Sequence, residues 1–349
     1  MQDDNTKPIT VEFLSFNHLP SIGMEKDGDT FQWLQLMVFK GLIARIEERF
    51  PNLLPAKQPS CLVAIQSNQV LGYIALIPVN IKGTCWAISE PTLNSSLKEP
   101  QTRSIKRILF DNALKIKVLN VRNWLTICST ANSDELTNAR YNGFQPLKYI
   151  NRWKPSQEGD TLQNQITQNN SSASIKWEQI NKTNYLDVWR LAQSSEPVHI
   201  RQIIDRDSKE ILTNKSSVNG VLISSEGKYR KAIAALIPHY FSQEKQIFKL
   251  IRDVAWDSRL KIELSIILNN LARREKELYI DISSDDIELG QLFKDISWQL
   301  IDEKVILGKT LLKRAEFKQL FSEQIGIDSM LKKLRPQSPP LPSPLRNIH

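Results

Sequence analysis

The sequence predicts an α/β (α+β) protein of two tandem units, each a central mixed, mostly antiparallel sheet flanked by helices. Three observations carry this expectation. The chain has 349 residues, more than one hydrophobic core usually holds, and at roughly 150 residues per domain it divides into about two. Short apolar runs of strand type alternate with longer amphipathic stretches of helical type. The order of those signals also recurs. Ala75 to Pro78 reads the same as Ala235 to Pro238, Leu125 to Thr130 resembles Leu278 to Ser283, and Gly143-Phe144 falls opposite Ser297-Trp298, all at offsets between 153 and 160 residues.

In the first unit, residues 9–14 read as a strand, and 31–50 as one or two helices closed by Pro51 and Pro55. Residues 61–65 and 70–77 flank a polar turn and predict a hairpin, which a strand at 84–90 extends. Residues 101–119 keep apolar positions at helical spacing with Lys and Arg between them. A short buried strand is expected at 124–128. A helix at 134–141 ends in Asn142-Gly143, where glycine suits the left-handed C-terminal position, and a strand at 145–153 closes the unit. The second unit repeats the pattern: a strand at 175–180, helix over 184–212 broken near Pro197, paired strands 218–224 and 232–237, strand 246–256, helix 258–275, strand 278–282, helix 285–298 and strand 303–312. The domain reading is therefore a first unit at 1–154, a linker at 155–173, a second unit at 174–328 and a disordered, Pro-rich, basic tail at 329–349. A terminal helix at 314–324 has no counterpart in the first unit.

Composition excludes several classes. No apolar run approaches the ~18 residues of a membrane span, and the N-terminal residues lack a signal peptide's basic and apolar regions, so a soluble, cytoplasmic protein is expected. Cys61, Cys85 and Cys128 lie in apolar runs without metal or redox spacing, and the four histidines are scattered, so no protein-built metal site is expected. The formal charge of +8 is concentrated in residues 1–154 and in 331–349, a balance that suits an anionic ligand or ordinary solvated charge. Gly308-Lys309-Thr310 lacks the glycine that a phosphate loop requires at position 303, which is Glu303.

The residues that carry chemistry cluster in the first unit. Cys85 to Glu90 is an apolar strand ending in a carboxylate, and Gln101 to Leu109 opens a helical run. A helix start of this kind offers unpaired N–H groups and a positive dipole end to a phosphate. With Asn132 to Phe144, the stretch resembles the acyl-CoA N-acyltransferase family, the GNAT fold. Residues 80–150 carry the resemblance well and 215–312 carry it weakly.

The resemblance implies an acyl-CoA, acetyl-CoA or another, as co-substrate, held where two strands splay apart. The family's diphosphate motif maps onto Gln101, Thr102, Arg103, Ser104, Ile105 and Lys106, with Ser104 and Lys106 at glycine positions. Asn132 falls on the family's Asn. Two readings are open. Arg103 and Lys106 meet phosphates through charge-assisted bonds in a modified site, or the segment is an ordinary cationic helix start. In the second unit, Arg259 takes the first motif position and Ile262 and Leu264 the glycine positions, which leaves the first unit as the candidate for binding.

Direct acyl transfer needs a deprotonated amine, and Glu90 is the candidate base, with an exposed strand-end acid as the other reading. Asp253 is its counterpart in the second unit. The family's frequent general-acid Tyr maps onto Ala139. Tyr141, two residues on, is either a displaced general acid or a packing residue. The function expected from the resemblance is transfer of an acetyl or other acyl group to a small-molecule or protein amine. The alternative is a non-catalytic module of the same fold that binds protein, or RNA through the basic tail.

Overall fold

In the computed structural model, the residues described are 8–23, 28–49, 57–95, 97–116, 121–156, 175–213, 216, 218–226, 229–239, 246–275 and 277–311. They all fall in one compact unit, Met1–Leu311. The linker expected at 155–173 (from 157 onward), the helix at 314–324 and the tail at 329–349 lie outside the described residues.

A single mixed sheet organises the molecule. Its first half comprises β1 (Thr10–Phe13), β2 (Ser60–Gln66), β3 (Gln69–Pro78), β4 (Cys85–Ile88), the short β5 (Thr92–Leu93), β6 (Asn123–Ser129) and β7 (Gln145–Pro155). Its second half comprises β8 (Ile175–Gln179), β9 (Gly220–Glu226), β10 (Tyr229–Pro238), β11 (Gln246–Arg252), β12 (Leu278–Ser283) and β13 (Trp298–Thr310). The spatial order is β1-β2-β3-β4-β6-β13-β7-β12-β11-β10-β9-β8, with β5 alongside β3. The two ends therefore mirror each other about the centre. Among the described residues only β4–β6 and β11–β12 pair in parallel. The hairpin read between residues 61 and 77 is present, with Ser67 and Asn68 both at positive φ in its two-residue turn.

The two central strands are exchanged. β13, the last strand of the second half, pairs with β6 from Lys304↔Ser129 to Thr310↔Asn123. β7, the last strand of the first half, pairs with β12 from Ile280↔Trp153 to Ser283↔Ile150. β7 and β13 then pair with each other along most of their length. Each half is completed by a strand from the other.

Helices cover both faces. One face carries α3 (Glu99–Lys115), α4 (Ser133–Tyr141), α7 (Arg259–Arg274) and α8 (Ile287–Asp295). Alternation along the strands sends Trp86, Ile88, Trp124 and Cys128 to this face, where they pack on Ile105, Leu109 and Phe110 of α3. The opposite face carries α1 (Leu19–Gly23), α2 (Gly28–Arg49), α5 (Tyr185–Ser195) and α6 (Val198–Ile204). There Leu34, Met37 and Val38 of α2 cover Val63, Tyr73 and Ala75. Ile200 and Ile204 of α6, a second-half helix, cover Cys85, Ala87 and Leu125 of the first half. The helical stretch at 184–212 breaks at Pro197 as expected, because proline cannot supply the N–H that a continuous helix needs.

Candidate functional site

The site is built where β4 leaves β6. The two run parallel from Cys85↔Asn123 to Ile88↔Thr126, and the Thr126 hydroxyl donates a last bond to Ile88 O at 3.2 Å. Ser89 then turns to β3: its N–H donates to Ala75 O at 2.9 Å, and its hydroxyl oxygen accepts from Ala75 N–H at 2.9 Å. Pro91 has no N–H with which to continue the ladder, and Thr92 and Leu93 pair with Tyr73 and Gly72 instead. A Cβ at Gly72 would lie 2.6 Å from Thr92 O, so the close return of the chain requires glycine there. β6 meanwhile continues to Ser129. The strands part, with Glu90 at the fork.

A cleft of ≈ 390 Å³ lies between α3 and α4 beside this fork. Its α3 wall carries Glu99, Thr102, Arg103, Lys106 and Arg107, and its α4 side carries Asn132, Asp134, Glu135 and Tyr141. The charges are paired across it. Arg103 Nε lies 2.9 Å from Asp134 Oδ2, and Lys106 Nζ lies 2.6 Å from Glu135 Oε1 and 4.0 Å from Glu90 Oε1. Burial pushes the Glu90 carboxyl above the usual carboxylate range, and the adjacent Glu135 pushes it further, with Lys304 and Lys106 opposing. Burial works against the charge on Lys106, yet the bond to Glu135 and the nearness of Glu90 raise it overall.

Asn132 caps α4, its Oδ1 accepting from Glu135 N–H at 3.2 Å, and so sets the turn that presents Glu135. The far end of α4 closes as the sequence indicated: Gly143 takes φ 84°, Phe144 N–H donates to Ala139 O at 3.1 Å, and the Phe144 ring packs 5.6 Å from Phe110. Ala139 is buried in the core. Tyr141 is 77% exposed and stacks under the Arg107 guanidinium at 5.2 Å. It lies six residues beyond Glu135, about 9 Å along the helix axis. The structure thus brings Lys106 and Asn132 into the cleft wall near Glu135, with Glu90 outside the lining and 4.0 Å from Lys106, and places Tyr141 at the far end of α4.

The motif residues 101–106 stand within the helix rather than in a loop before it. α3 starts at Glu99, with Pro100 in its first turn. Gln101 and Thr102 N–H groups both donate to Lys98 O at 3.0 Å, and helical bonding occupies the N–H groups of Arg103 to Lys106 in turn. Gln101 and Ser104 are exposed, Ile105 is core, and the groups facing the cleft are side chains.

Two participants were not foreseen from sequence. Glu135 stands three residues after the capping Asn132, a spacing that marks a helix start and was a usable signal. Lys304 reaches the neighbourhood of Glu90 only because β13 crosses into the first half, and no local pattern encodes that. Cys128 also lies near Glu90 and Glu135, but burial pushes its thiol up to about 12, so it is no nucleophile at neutral pH.

A second parting occurs between β11 and β12. Arg259, placed at the motif start, opens α7 with its guanidinium bonded to Asp257 at 2.6 Å; Leu264 is core and Ile262 is half exposed. Asp253 is ion-paired with Lys231. Among the described residues no cluster of His, Cys, Asp or Glu could hold a metal ion, and no helix is long and apolar enough to cross a membrane.

No family profile and no curated sequence matches this chain. Solved structures do. A GCN5-related N-acetyltransferase from Sphaerobacter thermophilus superposes with TM-score 0.51 at 7% identity, covering 89% of this chain and 96% of that one. A Drosophila protein gives TM-score 0.53 at 12% identity, covering 86% and 98%. The GCN5-related glucosamine N-acetyltransferase region of a fungal multi-domain β-N-acetylglucosaminidase gives 0.52 at 11%, covering 87% of this chain and 38% of that longer one. The fold is that of the GCN5-related N-acetyltransferases.

Proposed function

We propose that the protein is an N-acyltransferase whose first cleft takes an acyl-CoA, with Glu90 as the base that frees the acceptor amine. The observation that supports this most is the fork after Ile88 and Thr126, with the half-exposed Glu90 carboxylate, 49% exposed, at its apex and a cleft of paired cations and carboxylates beside it. In this fold the equivalent gap holds the co-substrate.

The cleft suits a diphosphate through side chains instead of backbone N–H groups. Arg103 and Arg107 are each more than half exposed, and their ion pairs with Glu99, Asp134 and Asp111 are surface pairs, worth about 0–1 kcal/mol each. A diphosphate can therefore recruit both guanidiniums at small cost, with charge-assisted bonds in return. Thr102 and Asn132 add neutral polar groups. When bound, acyl-CoA supplies the activated acyl group. Glu90, its proton affinity raised by burial, takes a proton from the acceptor ammonium so that the neutral amine attacks, the C–N bond forming as the C–S bond breaks. With Cys128 protonated at neutral pH, transfer is direct and not through an acyl-cysteine. Tyr141 and Arg107 form the outer wall, and the acceptor is an amine of unassigned class. The cysteines among the described residues are buried free thiols, which suits a reducing compartment such as the cytoplasm.

Calorimetry with acetyl-CoA tests the binding reading. Saturable heat is expected at or below about millimolar, weakened about tenfold or more in Arg103→Ala and in Lys106→Met. No heat at millimolar acetyl-CoA would overturn it. One observation favours a second reading, a non-catalytic module for protein or RNA: Glu99, Asp134 and Glu135 match the cleft's cations charge for charge, and the helix uses its own N–H groups. Salt-dependent retention on RNA without acetyl-CoA binding would support that alternative.

A further inference from the structure

One ammonium group stands between two carboxylates beside the first fork. Lys106 Nζ makes a close bond to Glu135 Oε1 at 2.6 Å and reaches Glu90 Oε1 only at 4.0 Å, the outer limit of an ion pair. The closer pair is also the more buried, with Glu135 12% exposed and Glu90 49%. The Lys106 charge is therefore spent mainly on Glu135.

Both partners of the close pair are held. Asn132 caps α4 and accepts from Glu135 N–H, which fixes the turn from which that carboxylate projects. Ile105 and Leu109 anchor the α3 segment that carries Lys106 in the core. The other charged groups around Glu90 have partners of their own. Lys304 of β13 faces Glu90 but lies 2.9 Å from Asp302 Oδ2. On α3, Arg103 lies 2.9 Å from Asp134 Oδ2, with Glu99 at 3.9 Å. Cys128 of β6 is protonated at neutral pH.

Among the described residues the long contact to Lys106 is the only ion pair that Glu90 makes. Burial leads in holding its carboxyl above the usual range and the Glu135 charge comes next. A hydrogen bond between the two carboxyls adds to this, against Lys304 and Lys106.

We propose that Glu135 is a positioning residue that diverts Lys106 from Glu90 and so keeps Glu90 basic enough to take the acceptor's proton. This deepens, and rests on, the reading of Glu90 as the base. Without the Glu135 charge, the ammonium on its flexible stem closes the remaining gap and pairs with Glu90. A close cation favours the ionised carboxylate, and Glu90 becomes a weaker base.

Carbon-13 NMR titration of the Glu90 carboxyl in the full chain, assigned by its loss in Glu90→Gln, tests this together with the pH profile of kcat/KM for amine acylation. In Glu135→Gln the titration and the acidic limb are expected to move together to lower pH, and kcat/KM at pH 7 to fall about three- to tenfold. Glu135→Asp keeps the charge and should restore most of both. Lys106→Met is expected to raise the Glu90 titration more in the Glu135→Gln background than in the parent, because only there has the ammonium closed on Glu90. A Glu90 titration unchanged or raised in a folded Glu135→Gln would overturn the proposal, as would a rise on removing Lys106 that is no larger in that background. Titrations that move as expected in a protein that acylates no amine would remove Glu90 from the chemistry and leave the diversion of Lys106 standing.

Discussion

Glu90→Gln is expected to lower the rate of amine acylation by about 10²–10⁴-fold, the usual contribution of a positioned base, while acetyl-CoA affinity stays within about twofold. The substitution keeps the shape and removes only the capacity to take a proton. Because burial and Glu135 hold the Glu90 carboxyl above the ordinary carboxylate range, the acidic limb of the parent's pH–rate profile should lie higher than a free glutamate would give. That limb should vanish in the variant. The sign for stability is opposite to that for activity. A raised folded-state pKa means that the protonated form stabilises the fold at low pH, and this contribution is lost as pH rises through the folded value. Steady-state kinetics from pH 5 to 9 and denaturation over the same range read the two effects; an unchanged rate with an unchanged acidic limb would remove Glu90 from the chemistry.

Asp281→Ala is expected to cost about 3–5 kcal/mol of folding stability, the usual consequence of removing one member of a buried ion pair. Asp281 is 1% exposed and receives both arms of the Arg152 fork. Strand register places Lys249, Asp281, Arg152 and Asp302 side by side on β11, β12, β7 and β13. The row crosses the middle of the sheet on the face covered by α5 and α6. Removing Asp281 leaves Lys249 and Arg152 facing a gap, so the loss should shrink in Asp281→Leu/Arg152→Met, where the Arg152 charge is no longer stranded. His239, buried beside Asp281, has its pKa lowered by burial to about 4. A depressed histidine supplies stability above its unfolded value of 6.5 that is lost as pH falls toward about 4. Urea denaturation at pH 7 and pH 5 checks both statements. A loss below about 1 kcal/mol for Asp281→Ala, the level of a surface pair, would contradict the account of the row.

Local chemistry made much of this architecture legible. Ser67-Asn68 announced the β2–β3 turn, Asn142-Gly143 the end of α4, and Pro197 the break between α5 and α6. Boundaries failed where a single residue overrides a periodic pattern. The expected helix at 285–298 stops at Asp295, since Ser297 adopts φ 60°, and β13 begins at Trp298 instead of 303. Strand 246–256 ends at Arg252. Pro100 was a readable sign that α3 begins before Gln101, which leaves side chains instead of free backbone N–H groups facing the cleft.

The strand exchange left no trace in the sequence, because β13 satisfies the same alternation beside β6 as it would beside β12. Its consequences were equally hidden: Lys304 near Glu90, and Lys148 of the first half beside Lys249 of the second. Internal repetition was visible as matching words in matching order, whereas the partner of each strand depends on contacts between residues far apart in the chain.

The central claim is that the α3–α4 cleft takes the acyl-CoA, and photo-crosslinking with a CoA analogue carrying a short reactive acyl group, located by peptide mass spectrometry, tests it most directly. Label confined to peptides spanning residues 99–107 and 132–141, and competed away by acetyl-CoA, is the predicted result. Label at 249–254 or 283–286, or none that acetyl-CoA displaces, would contradict it.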